Sequence, residues 1–218
     1  MTRRRFLGCA AGAASLALPF DLRPLRKSRV PLVLDLGRHC ALAESVAGYQ
    51  AALAGVECEP HGGALIVPAA VELPPWAVRA IVSSLHAGAT VILESGAAFA
   101  SESHCGAHRA VLRAALQLEI ETPVRLWPRS VPYVDYTWPY PAKLRDFSHV
   151  VPVARQAGEV IARVDDLAVA LKRASGRGTL IFLGSPLGPA LWAGDAEARR
   201  WLRAVLLTAD PSRLRRSG

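Results

Sequence analysis

The residues that could do chemistry in this 218-residue chain cluster at the ends of short apolar runs. Asp35-Leu36-Gly37-Arg38-His39, Pro68-Ala69, Glu94-Ser95-Gly96 and Gly184-Ser185-Pro186 each close one such run. In an open α/β sheet, ligands bind beyond the carboxyl ends of the strands. If the four runs are parallel strands, these residues share one rim. Arg38 can then hold an anion, and Glu94 can act as a base or polar anchor. Ser95 and Ser185 can donate hydrogen bonds, with Gly96 beside them in the ligand set. Ser95 is also a candidate nucleophile, for which His39 is the rim histidine that could serve as base. Its neighbours are Leu93 and Ala97, not the glycines of a Gly-x-Ser-x-Gly elbow. The plainer reading of each residue is a turn position chosen for backbone geometry.

Two further groups carry chemical side chains. His104-Cys105-x-x-His108 brings together two imidazoles and a thiol, all zinc-ligand types. Structural zinc takes four ligands, and no partner pair is evident, so no metal and no other cofactor is expected. The second group is aromatic: Tyr133, Asp135, Tyr136, Trp138 and Tyr140 lie within a stretch from Pro123 to Pro152 that holds six prolines. Such a segment cannot be an ordinary helix. Asp135, Tyr136 and Trp138 could contact a small molecule, a sugar or a peptide. They could equally pack over a sheet edge.

The elements that must position these groups alternate through the first half. Val30–Leu36, Ala64–Pro68 and Thr90–Leu93 read as strands; Ala41–Leu53, a segment from Pro75 to about His86, and Ala107–Leu118 read as helices. Near the end, Val160–Val164 and Leu167–Leu171 flank Asp165-Asp166 as an antiparallel pair. Leu180–Leu183 is a further strand, and Asp195–Leu207 an amphipathic helix with Asp195 at its start. Continuous apolar strands between helices predict a three-layer, mostly parallel sheet of flavodoxin-like type, with a C-terminal antiparallel strand pair.

Charge sits at the termini. The net charge is +8, yet from Asp35 to Arg203 there are 16 basic and 16 acidic residues. A nucleic-acid surface needs its charge on the fold itself, so no nucleic-acid partner is expected. The oligomeric state is left open. Thr2-Arg3-Arg4-Arg5-Phe6-Leu7-Gly8 resembles a twin-arginine export signal, with Ser15-Leu16-Ala17 as a small-x-small cleavage site. That resemblance implies export to the periplasm or cell envelope. The expected organisation is a signal peptide over 1–17, a basic linker over 18–29, one α/β domain over 30–207 and a basic tail over 208–218. No transmembrane span is expected after cleavage. In an oxidising compartment Cys40, Cys58 and Cys105 could supply one disulfide, and their spacing does not choose the pair.

Two segments carry a family resemblance. Leu73-Pro74-Pro75-Trp76 leads through a helix to Gly88-Ala89-Thr90-Val91-Ile92-Leu93-Glu94-Ser95-Gly96, and Gly176-Arg177-Gly178 leads into Thr179–Ser185. Together they resemble the class I glutamine amidotransferase-like superfamily. The family's elbow cysteine is absent, since Glu94-Ser95-Gly96 stands there, and no histidine follows His149. The resemblance therefore implies an exported ligand-binding or accessory module without amidotransferase chemistry. The competing expectation is a hydrolase using Glu94 or Ser95 with His39.

Overall fold

Apolar residues in continuous runs build the centre of the molecule. The computed structural model describes residues 31–54, 63–126, 133–145 and 149–208. The segment resembling an export signal, the stretch expected to be a linker, Cys58 and almost all of the C-terminal tail lie outside them. In chain order the elements are β1 (Leu32–Val33), α1 (Ala43–Leu53), β2 (Ala64–Ala70), α2 (Pro75–Ala87), β3 (Thr90–Ser95), α3 (Glu102–Leu116), β4 (Val124–Arg125), β5 (Tyr133–Tyr136), β6 (Ala142–Arg145), β7 (His149–Val150), β8 (Glu159–Val164), β9 (Leu167–Ser175), β10 (Gly178–Leu183), α4 (Gly188–Trp192) and α5 (Ala196–Thr208). No helix among the described residues is long and apolar enough to cross a membrane.

Eight strands form one sheet in the order β1-β2-β3-β10-β9-β8-β5-β6. The first four are parallel, and every later pairing is antiparallel. Leu65, Val91 and Leu180 align in one row, and Ile66, Ile92 and Ile181 in the next. Alternate rows face opposite sides of the sheet. Leu65, Val91 and Leu180 pack with Ile81 and Leu85 of α2 and Leu112 of α3. Ile66, Ile92 and Ile181 pack with Tyr49 of α1 and with Leu191, Trp201 and Val205 of α4 and α5. Being covered on both faces is why β2 and β3 are buried at every position.

The flavodoxin-like expectation is corrected here. The sheet is mixed, and its antiparallel half is far more than a C-terminal strand pair. The Asp165-Asp166 turn does join an antiparallel pair, β8 and β9, but that pair lies inside the sheet. The Pro-rich middle supplies β5 and β6 as the outer strands. Their burial alternates, with Val134, Tyr136, Ala142 and Leu144 inside and Tyr133, Asp135, Lys143 and Arg145 outside. They are thus covered on one face only, as antiparallel edge hairpins commonly are. Pro139 and Pro141 sit between these strands, where a missing N–H breaks no ladder.

Proline also disguises β2. Pro68 lies inside the strand, at a bulge between Val67 and Ala70, and Ala69 takes φ 39°. A bulge tolerates proline because the ladder is already interrupted there.

Candidate functional site

The parallel strands β1, β2, β3 and β10 end along one edge of the sheet, a rim with Glu94 at its middle. Glu94 is the penultimate residue of β3 and is wholly buried. Its Oε1 accepts from the Tyr49 hydroxyl at 2.5 Å, from Leu187 N at 2.7 Å and from Gly188 N at 3.2 Å. Its Oε2 accepts from Ala69 N at 3.1 Å. The β2 bulge is what turns the Ala69 N–H out of the ladder toward this carboxylate. Burial pushes the Glu94 carboxyl up to about 7, while the four hydrogen bonds act in the opposite direction. Burial, together with Glu94 itself, raises the phenol of Tyr49 far above its ordinary range. Four donors on two oxygens make Glu94 a clasp joining α1, β2, β3 and the loop into α4. They leave it little capacity to take a proton from a substrate.

Ser95 is buried, and its hydroxyl donates to the Gly96 carbonyl at 3.2 Å. A Cβ on Gly96 would lie 2.5 Å from Ala41 Cβ and 2.7 Å from Ala69 O, so glycine is needed where the β3 end meets two other chain segments. Ser185 is buried beyond β10. These residues therefore line the inside of the rim.

Its outside is polar. A short 3₁₀ turn at Gly37–His39 follows β1. Arg38 Nε donates to His39 Nε2 at 3.4 Å. The His39 ring proton then sits on Nδ1, which donates to Glu72 Oε2 at 2.7 Å. His39 is 18% exposed and Glu72 53%. Asp35 is exposed on the same turn, its Oδ1 accepting from Gly37 N at 2.7 Å. Cys40 donates to the carbonyls of Leu42 and Pro68, and burial raises its thiol pKa. Cys40 and Cys105 are both free thiols.

Glu72 is not legible as a site residue in the sequence. Ending β2 at Pro68 leaves it four residues into a turn, whereas the bulged strand runs on to Ala70 and brings Glu72 to the rim.

The histidine cluster lies beside this rim. His104 Nδ1 accepts from Ala100 N at 3.2 Å, and Phe99 meets both His104 and His108 within 5.6 Å. His108 is buried with neither ring nitrogen hydrogen-bonded. Burial lowers its pKa to about 4, helped by His104 and opposed by Glu72. Cys105 is buried. No group of three potential ligands is poised to hold a metal among the described residues.

The aromatic segment does not converge. Tyr136 is buried 4.5 Å from Trp201, while Asp135 faces outward and pairs with Lys143 at 3.5 Å. Trp138 is half-buried at the far end of the sheet from Glu94, with the Lys172 ammonium 4.6 Å from its ring centre. The strand period that separates Tyr136 from Asp135 cannot be seen while the segment is read as a loop.

No family model matches this sequence, and no curated protein matches it. Solved structures do resemble the fold. A cold-adapted β-galactosidase from Rahnella sp. R3 matches with TM-score 0.57 and 14% identity, over 87% of this chain and 31% of that one. A β-galactosidase from Halorubrum lacusprofundi matches with TM-score 0.54 and 15% identity, over 84% and 30%. The exo-β-1,4-mannosidase Op5Man5 from an Opitutaceae bacterium matches with TM-score 0.54 and 9% identity, over 81% and 36%. The chain spans about a third of the length of these glycosidases. These likenesses are to glycosidases and not to glutamine amidotransferases, so the amidotransferase-like assignment and the accessory-module function built on it are overturned.

Proposed function

We propose that this chain is a hydrolase-related unit acting on glycosides, with Glu72 and Asp35 as its two carboxyl groups and His39 positioning Glu72. The observation that carries this reading is the 2.7 Å contact between His39 Nδ1 and Glu72 Oε2 on a rim open to solvent. Glycoside hydrolysis is carboxyl chemistry: one carboxyl group protonates the leaving oxygen while a second carboxylate activates water or attacks the sugar. Glu72 has the exposure such a group needs, which Glu94 lacks. His39 fixes the orientation of the Glu72 carboxylate. Arg38 brings positive charge to where a leaving oxygen develops its negative charge. Asp35, on the same turn, is the second carboxyl group this reading assigns. The likeness to a β-galactosidase and a mannosidase supports the substrate class.

The test is release of nitrophenol from nitrophenyl β-galactosides and β-mannosides. The expected result is turnover by the wild-type protein and a loss of about 100-fold or more in kcat/KM for Glu72→Gln, with an unchanged melting temperature. No turnover of any aryl glycoside, or a Glu72→Gln protein as active as wild type, overturns the reading.

A further inference from the structure

The opposite end of the sheet carries a second constellation. Glu159 opens β8, Lys172 and Arg173 lie near the end of β9, and Thr179 lies at the start of β10. With Arg177 and Trp138 they line a cleft of about 550 Å³, within the size range of small-ligand sites. Thr179 lies four residues before Leu183, the β10 residue that pairs with Glu94, so this end of the cleft is about 13 Å from the rim along the strand.

Lys172 faces Glu159 in this cleft, and Arg177 lies at its edge. The Lys172 ammonium sits 3.0 Å from Glu159 Oε2 and 4.6 Å from the centre of the Trp138 ring. Glu159 is 61% exposed, so its hold on Lys172 is solvent-screened and weak. An incoming carboxylate can take its place while the ammonium stays on the indole. Arg177 is exposed and spends its Nε on the His86 carbonyl at 2.8 Å, which leaves its terminal amino groups for a ligand. Arg173, the next residue of β9, turns to the other face of the sheet, where it donates to the carbonyls of Gln117 and Ala157. Thr179 adds a hydroxyl beside the cations. An apolar ring surface, a hydroxyl and a surplus of cations suit a polyhydroxylated ring that bears a carboxylate.

The geometry points to this cleft as a binding site for uronic-acid saccharides, separate from the rim. The saccharide half of this assignment rests on the glycoside-directed reading above. The preference for a carboxylate rests on the cleft alone.

Calorimetric titration of the full chain at low salt with trigalacturonate, neutral galactotriose and triglutamate tests it. Trigalacturonate should bind, and the other two should bind at least about tenfold more weakly. Lys172→Met and Trp138→Leu should each weaken trigalacturonate by about tenfold or more, and Glu159→Gln should tighten it by removing the competing carboxylate. Absence of trigalacturonate binding overturns the site. Equal binding of triglutamate overturns its saccharide class, and equal binding of galactotriose its preference for charge. A Lys172→Met protein that melts like wild type and binds like wild type also overturns it. Because this readout is binding and the rim's is nitrophenol release, failure of one is distinguishable from failure of the other.

Discussion

The Tyr49 hydroxyl donates to Glu94 Oε1 at 2.5 Å in a core where solvent reaches neither residue. This contact ties the middle of α1 to the end of β3. The same oxygen accepts from Leu187 N and Gly188 N where α4 begins, so one atom sets where both helices meet the sheet. The polar turn bearing Arg38 and His39 runs directly into α1. The buried clasp therefore bears on the exposed rim by positioning, without touching what binds there.

The two helices tied by this clasp cross backbone to backbone, and that makes a prediction. A Cβ on Gly48 would lie 2.1 Å from Gly188 O and 2.8 Å from Trp192 N. A Cβ on Gly188 would lie 2.4 Å from Ser45 Cα. Neither neighbour is the end of a flexible side chain, so α1 and α4 must separate. Gly48→Ala should lose about 3 kcal/mol in urea denaturation, at the upper end of overpacking costs. Gly106 is the control, since it lies on α3 with nothing within 4 Å of where an alanine methyl would stand. Gly106→Ala should gain about 0.5–1 kcal/mol from helix propensity. Similar effects at the two positions would remove close packing as the explanation.

How far the sequence reveals this arrangement depends on the element. The start of α2 is legible because Pro75 takes an early helical position, and its end because Gly88 adopts the left-handed conformation at φ 92°. The cores of β2, β3 and β10 are legible as apolar runs. The site is harder to read. Three of the four donors to Glu94 are backbone N–H groups of Ala69, Leu187 and Gly188, and no residue type marks a backbone donor. The apolar spacing puts the start of α3 near Ala107, yet Ser101 caps it by accepting from His104 N at 3.1 Å. Reading His104-Cys105-x-x-His108 as a ligand pattern hides that serine's role.

At α5 the sequence and the structure agree on the capping residue. Asp195 Oδ1 accepts from Glu197 N at 2.8 Å and Ala198 N at 3.0 Å. Asp195→Ala should cost about 0.5–2 kcal/mol, the usual loss for an N-cap. Asp195→Asn should stay within about 0.5 kcal/mol of wild type, because asparagine caps nearly as well. Chemical denaturation of both variants separates hydrogen bonding from charge. An asparagine variant as unstable as the alanine one would assign the effect to charge near the helix dipole.

Glu94 and His108 should bend the pH dependence of stability in opposite directions. Glu94 has a folded-state pKa raised from 4.5 to about 7, so the folded state binds its proton more tightly than the unfolded chain does. Its contribution is fully present below pH 4.5 and is lost as the pH rises through 7. His108 has a folded-state pKa lowered from 6.5 to about 4. Its contribution is present above pH 6.5 and is lost as the pH falls through 4. Each displacement corresponds to about 3 kcal/mol across its window, so in the wild-type protein the two nearly cancel. Single variants uncover them. The deficit of Glu94→Gln relative to wild type should be largest at the acid end, near pH 4.5, and should shrink by about 3 kcal/mol by about pH 8. His108→Leu removes two unpaired ring nitrogens as well, so it should be at least as stable as wild type near neutral pH and gain further on acidification. Urea denaturation from about pH 4.5 to about pH 8 provides the comparison, and taking each variant against wild type cancels the other carboxylates. Variant curves that run parallel to wild type would mean that neither group is titrating from the buried position described.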